Sequence, residues 1–287
     1  MIFDPLRPQL NVGNRMSAKV YLGTSGYSYD DWVGPFYPHG TAKSAFLEYY
    51  ATRFSMVELN FTYYRQPEAK TLIPMLEKTN DDFLFSIKAH KSLTHTVDSD
   101  WKKSAHEYMR GMSPLAESER LAGVLLQFPY SFHYTPDNRR YLGQLCDELH
   151  ELPLVVEFRN SGWQRESVYG EMKNRKIAAT VVDCPPLENL PKPDPVITSN
   201  LGYIRFHGRN SENWWSGTNA SRYDYLYSGD DLDTWLDKIA DMSGNTAILL
   251  IAFNNHWRGQ AVRNAEQLGG LLRKKTDLEV VLSNGAG

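Results

Sequence analysis

Short, continuously apolar runs rich in β-branched and aromatic residues recur along the chain, each followed by a stretch with helical spacing. The runs fall at 20–23, 56–60, 83–89, 122–127, 154–158, 177–182, 203–207 and 247–253. Most lack the alternation of a half-exposed strand, so they read as strands covered on both faces, as in a parallel sheet. Helical spacing is found at about 42–54, 67–78, 101–119, 137–150, 164–175, 230–242 and 258–274. Pro67 and Pro136 stand where a first helical turn tolerates proline. Eight strands alternating with helices predict an α/β fold, a single (β/α)8 TIM-type barrel over 19–282. An irregular connection is expected between strands six and seven, because PPLENLPKPDPVITSN is too rich in proline for a regular helix. No G-x-G-x-x-G follows a strand and no G-x-x-x-x-G-K-[ST] occurs, which removes the main support for an open dinucleotide- or nucleotide-binding sheet.

Composition narrows the class. The chain has 287 residues, close to the roughly 250 of such barrels. A net charge of −3 argues against a surface that grips nucleic acid everywhere, though it leaves room for a local basic groove. No apolar run approaches the ~20 residues that span a bilayer, so no membrane partner is expected. The segment 1–18 reads as an extended, proline-broken tail without a signal-peptide pattern, and Met16 is an alternative start to Met1. Two cysteines, Cys146 and Cys184, one in a helical pattern and one after a strand, suit a reducing, cytoplasmic setting. The sequons at Asn60 and Asn219 would then carry no glycan.

In a parallel barrel the chemistry gathers where the strands end, because the following loops converge there. Those ends carry Thr24, Ser25, Glu58, Asn60, Lys88, His90, Gln127, Glu157, Arg159, Asp183, Arg205, His207, Asn254 and Asn255. Side chains alternate along a strand, so Glu58/Asn60, Ser86/Lys88, Glu157/Arg159 and Arg205/His207 are same-face pairs. The intervening Leu59, Ile87, Phe158 and Phe206 should face the helices. Any one of these charges could be a structural ion pair. Their convergence points to function, because charge in a poorly hydrated chamber is costly unless it is paired or used on a ligand.

Lys88, Arg159 and Arg205 exceed their partners unless Glu58, Glu157 and Asp183 neutralise all three, and Arg65, Arg209, His90, His95 and His207 add cationic capacity. Arginine's planar fork suits carboxylate or phosphate, so the expected ligand is a small anion. Glu58, Glu157, Asp183 and His207 also form an alternative divalent-metal set. The neighbouring arginines and the lack of a close-spaced metal motif count against it.

Two loops are dense in aromatics. GYSYDDWVGPFYP carries Tyr27, Tyr29, Trp32, Phe36 and Tyr37, and GRNSENWWSGTNASRYDYLYS carries Trp214, Trp215, Tyr223, Tyr225 and Tyr227. Such rings can stack on a sugar or base, or anchor their own loop to the rim; for Trp32 and Tyr37 anchoring is at least as good a reading. The second loop is long enough for a lid. Tyr63, Tyr64 and Arg65 form a further rim segment. Asn255 and Asn264, near the start of the last helix, are read either as anion-facing amides or as caps.

The motifs GTSGYSYDDW, FSMVELNFTYYRQP, FLFSIKAHKSLTH, LLQFP, VVEFRNSGW, YIRFHGR and FNNHWRGQAVRNA, in this order from about Val20 to Leu272, resemble the DUF72 (YecE-like) family. The resemblance implies a TIM barrel and no particular reaction. By motif position it carries Glu58, Asn60, Lys88, His95, Gln127, Glu157, Arg159, Asp183, Arg205, His207 and Asn255. Tyr63 stands where the family's segment has phenylalanine, and Cys184 is not a family feature. A loose fold-level likeness to metal-dependent sugar isomerases and apurinic endonucleases is analogy alone.

Three readings follow. The first is an enzyme, a hydrolase, lyase or isomerase of a small phosphorylated or carboxylated, sugar-like compound. In it Glu58 or Glu157 is the base, His207 the acid or proton shuttle, and Lys88, Arg159 and Arg205 the anion clamp. Asn60, His95, Gln127, Asp183, Arg209, Trp214, Tyr223 and Asn255 complete the binding set. The second is a nucleic-acid protein with aromatic loops stacking bases, marked by a basic groove running beyond the mouth. The third is a non-catalytic barrel, marked by charges locked in mutual pairs with no void beside them.

Overall fold

The computed structural model describes residues 18–281 and 283; the tail expected at 1–18 lies almost wholly outside them. Eight strands, β1 (Lys19–Ser25), β2 (Met56–Leu59), β3 (Leu84–Lys88), β4 (Leu121–Gln127), β5 (Leu154–Glu157), β6 (Ala178–Asp183), β7 (Leu201–Phe206) and β8 (Ile248–Phe253), pair in parallel. They run in sequence order and close when β8 pairs with β1. Every predicted strand is present. Its continuous apolar run reflects burial on both faces, since the barrel interior takes one side and the helices the other.

Two apolar layers result. Val57, Leu59, Ile87, Val124, Val156, Ile204, Phe206 and Ile251 pack outward beneath the helices. Tyr21, Met56, Leu125, Val155, Tyr203, Leu250 and Ala252 fill the barrel. Gly123 makes room inside: a Cβ there would stand 3.1 Å from Val155 and 3.7 Å from the Tyr203 ring. The pairing of β3 with β4 slips by one residue between Phe85 and Ser86, the irregularity that turns Gly123 inward.

The main helices are α1 (Phe46–Ala51), α2 (Ala69–Glu77), α3 (Trp101–Glu117), α4 (Pro136–Glu148) and α5 (Glu166–Asn174). After β7 come α6 (Asn219–Arg222), α7 (Gly229–Asp233), α8 (Leu236–Ser243) and, after β8, α9 (Gln260–Lys275). The segment predicted as one helix at 230–242 is split into α7 and α8, and a capping box between Ser228 and Asp231 starts the first. Residues 184–200 hold no helix, as the proline content predicts. That strap is fastened by Gln164, whose amide bonds the Lys192 backbone in both directions at 2.8 Å. Thr198 secures its other end, accepting from Ala179 N at 2.8 Å and donating to Ile177 O at 2.6 Å. Among the described residues no helix is long and apolar enough to cross a membrane.

Candidate functional site

Alternation from the inward Met56, Val155 and Tyr203 puts Glu58, Glu157 and Arg205 inside the upper barrel, all fully or nearly fully buried. Arg205 stands between the two carboxylates. Its Nη2 and Nε reach Glu58 at 2.7 and 2.8 Å, and its Nη1 reaches Glu157 at 2.6 Å. The Tyr203 hydroxyl donates to Glu58 at 2.8 Å and lies 2.9 Å from the Ser86 hydroxyl. Arg159 closes on the other oxygen of Glu157, where its Nε makes a very short contact. Two carboxylates and two guanidinium groups thus form a neutral chain. Burial alone would push the Glu157 carboxyl up; Arg159, Arg205 and His207 outweigh it and hold it well below the ordinary range.

His207 is buried, with Nε2 3.2 Å from Glu157 and Nδ1 3.0 Å from the Asn254 amide nitrogen. With that amide as donor, Nδ1 accepts and Nε2 carries the proton toward Glu157. Burial, then Arg159, lowers this imidazole to about 3, so it is neutral. It positions Glu157 and does not reach the open space.

That space is a cavity of about 920 Å³ above the charge chain. Asn60, Lys88, His95, Gln127, Arg159, Arg205, Tyr223 and Asn254 line it, with Tyr27, Tyr29, Tyr63, Tyr64 and His256 at its walls. Glu58, Glu157 and His207 are not among its lining residues. Lys43, Arg65, Lys78, Lys88, Arg159, Arg205 and Arg222 are, and among the described residues no aspartate or glutamate joins them. Two lining residues hold buried polar atoms without partners, Asn60 Oδ1 and Arg222 Nε. Such atoms cost stability unless a ligand or water satisfies them.

Lys88 stands outside these ion pairs. Its ammonium donates to Gln127 Oε1 at 2.7 Å and sits 4.5 Å from the centre of the Tyr63 ring, and among the described residues it has no carboxylate within salt-bridge distance. Burial, with Arg205 and Arg159 nearby, pushes it down to about 7. Burial, then Lys88 and Arg159, lowers His95 to about 4, so this ring is neutral too. Burial would raise the Tyr223 phenol, but Arg159 and Arg205 override it and hold it below its ordinary value. Trp214 lies under the Arg159 guanidinium at 5.9 Å.

Other expected site residues are placed elsewhere. Asp183 follows the inward Ala178 at odd spacing and so faces the helices. There it accepts from Arg209 at 2.6 and 2.9 Å, from the Tyr227 hydroxyl at 2.7 Å and from Trp235 Nε1 at 2.9 Å. Arg209 also pairs with Asp231 at 2.9 Å. Asp183 and Arg209 therefore form a second cluster, outside the shared chamber. Asn255 donates to Tyr225 O and Asn264 Oδ1, and Asn264 holds the backbone of Tyr227, so this pair clamps the β7 loop onto α9. Trp32 and Tyr37 are fully buried anchors: the indole donates to His256 O at 2.7 Å and the phenol to Tyr27 O at 2.6 Å. The alternative metal set is not assembled. Among the described residues no group of three or more His, Cys, Asp or Glu is arranged to hold an ion. Asp183 is on the other side of the wall, and Arg205 occupies the cationic place between Glu58 and Glu157. Tyr29 and His256, stacked at 4.8 Å, were visible only as aromatic loop residues and as part of FNNHW.

A second groove, of about 1020 Å³, lies at the N-terminal end of the strands among Asp147, His150, Arg175 and Asn200. Arg175 is paired there with Asp147 and Glu171. Among the described residues no cluster of buried charge lies beneath it, and the strand C-termini, where barrel sites form, are at the other end.

A family model described as "Protein of unknown function DUF72" matches residues 21–284. The UPF0759 protein YunF of Bacillus subtilis is 27% identical over 269 residues, covering 88% of this chain and 94% of that protein. YecE of Escherichia coli K12, also UPF0759, is 31% identical over 175 residues, 58% of this chain and 60% of its own. The crystal structure of a DUF72 family protein from Thermotoga maritima superposes with a TM-score of 0.81 at 39% identity, covering 89% of this chain and 99% of that one. One from Enterococcus faecalis gives a TM-score of 0.79 at 25% identity, covering 90% and 97%.

Proposed function

Because this chain belongs to the DUF72 family, whose description assigns no reaction, its function must come from the site, and we propose that the barrel mouth binds a small phosphorylated or carboxylated, sugar-like anion. The observation that carries this reading is the cavity lining: among the described residues, seven lysines and arginines without one acidic residue. Glu58 and Glu157 engage Arg205 and Arg159, hold both guanidinium groups at the cavity floor, and keep the chamber from holding unopposed positive charge. The acid–base work of a hydrolase, lyase or isomerase belongs in this reading to Lys88, Tyr223 and His95, titratable groups among those that line the cavity. Glu58, Glu157 and His207, which sequence alone favours for that work, become positioning residues. The protein would act in a reducing, cytoplasmic setting.

Calorimetric titration with inorganic phosphate, sugar phosphates, sugar acids and their neutral parent sugars tests this. Phosphorylated or carboxylated compounds should bind, and Arg159→Gln should weaken them by at least about tenfold, ~1.4 kcal/mol. Neutral sugars binding as tightly as their phosphates would overturn it.

One observation favours the nucleic-acid alternative. The cavity runs outward from the mouth past Arg65 and the exposed Tyr64 to Lys43 and Lys78. Binding of a short single-stranded oligonucleotide that weakens steeply with salt would support it; affinity insensitive to salt would remove it.

A further inference from the structure

Lysine is the cation least suited to burial without a carboxylate, since its compact ammonium loses strong hydration and gains nothing in return. Yet Lys88 is half-buried at the cavity wall, at the end of β3, where Arg205 and Arg159 act on it more strongly than Glu157 and Glu58 and one neutral amide is its hydrogen-bond partner. The two carboxylates that could have neutralised it are already engaged by Arg205 and Arg159. This is the arrangement that makes an amine nucleophilic at neutral pH: desolvation together with an adjacent cation. Its side chain is also held in place, against the Tyr63 ring on one side and Gln127 on the other.

We propose that Lys88 is a covalent catalyst that captures the carbonyl group of an anionic aldehyde, ketone or keto acid as an imine. The inference rests on the anion-binding reading above and names its substrate class. Arg159 and Arg205 would hold the phosphate or carboxylate, bringing the carbonyl carbon to Nζ. The free amine's lone pair forms the C–N bond while the carbonyl π pair moves to oxygen, which takes up the proton that nitrogen sheds. The resulting carbinolamine loses its hydroxyl group and a second nitrogen proton as one molecule of water, leaving C=N. Nothing is oxidised or reduced. The phenol of Tyr223 and the neutral ring of His95 are the cavity groups that can carry these protons. The buried, protonless Glu157 carboxylate cannot donate one.

The test uses glyoxylate, a small carboxylate aldehyde that fits any pocket able to hold an anion, with cyanoborohydride to reduce imines as they form. At about pH 7 an amine titrating near 7 is roughly 10³-fold richer in free base than an ordinary lysine near 10.4; its lower basicity and narrower access take back part of that advantage. The full-length protein is treated with limiting reagent, digested and mapped by mass spectrometry. Lys88 should gain the mass of glyoxylic acid less one oxygen atom at least about ten times faster than an exposed lysine such as Lys70. Excess inorganic phosphate should slow it, and Lys88→Met, checked for folding by circular dichroism, should lose that fast phase alone. Label spread over exposed lysines with the Lys88 peptide unmodified overturns the imine; phosphate binding by calorimetry then shows whether the anion pocket survives it. Fast labelling of Lys88 that phosphate does not slow keeps the imine and removes the anion pocket.

Discussion

Removing Arg205 exposes how the buried charge chain is balanced. Arg205→Met keeps an unbranched apolar stem of similar reach but leaves Glu58 and one oxygen of Glu157 facing each other without the guanidinium that joins them. Glu58 would retain the Tyr203 hydroxyl, and Glu157 would retain Arg159 and His207. Breaking one partner of a buried pair costs about 3–5 kcal/mol, which for a domain of this size lowers the melting midpoint by roughly 6–20 °C at 2–4 °C per kcal/mol. Urea denaturation followed by tryptophan fluorescence would read the loss. The pH dependence gives a second signature. In the parent protein the depressed Glu157 carboxyl contributes stability present above the unfolded carboxylate value and lost on acidification. In Arg205→Met the two buried carboxylates lose the cation that joins them, so moving from about pH 7.5 to about pH 5 should restore part of the deficit before general acid destabilisation takes over. Glu58→Gln added to Arg205→Met should recover much of it as well. A single variant within about 1 kcal/mol of the parent, or one whose deficit deepens steadily toward pH 5, would refute the picture of Arg205 as the joint of the chain.

Lys88→Met should stabilise the fold, because it removes a cation that the native state holds at a cost. The sign follows from its lowered value: below about 7 the penalty is complete, and it fades as pH rises toward 10.4. The gain in melting midpoint should therefore be larger at about pH 6 than at about pH 9; a loss of stability at both would contradict it. In the parent protein the affinity for inorganic phosphate should fall as pH rises through about 7, as Lys88 gives up its charge among Arg159, Arg205, Glu157, Glu58 and His95. Calorimetry on Lys88→Met should show that step flattened, leaving the titration of phosphate itself. Asp183→Asn weakens the contacts to Arg209, Tyr227 and Trp235 together. It should cost about 2–4 kcal/mol and shift the emission of the buried Trp235, while phosphate affinity changes by less than about threefold.

The architecture was legible because its cause is local. Burial on both faces writes itself into a strand as an unbroken apolar run, and the proline-rich 185–200 announces a missing helix. The gathering of charge was legible for β2, β3, β5 and β7, where each polar residue shares parity with an inward neighbour. It failed at Asp183 because AATVVD is small or apolar on both faces, so nothing in the strand fixes which side its last residue takes. Which carboxylate meets which arginine depends on registers between distant strands. Hence Glu58, Glu157 and His207 looked like catalytic groups, although their partners shield them from the opening. The outer cavity wall, from Tyr63 and Arg65 to Lys78, is made by loops and a helix edge whose approach no periodicity encodes.

The Tyr203 ring, packed beside Gly123 with its hydroxyl tied to Ser86 and Glu58, acts as a stopper in the barrel's throat. The upper chamber and the lower groove are therefore not joined through the barrel axis. A compound that binds in the upper chamber should leave binding in the lower groove unchanged.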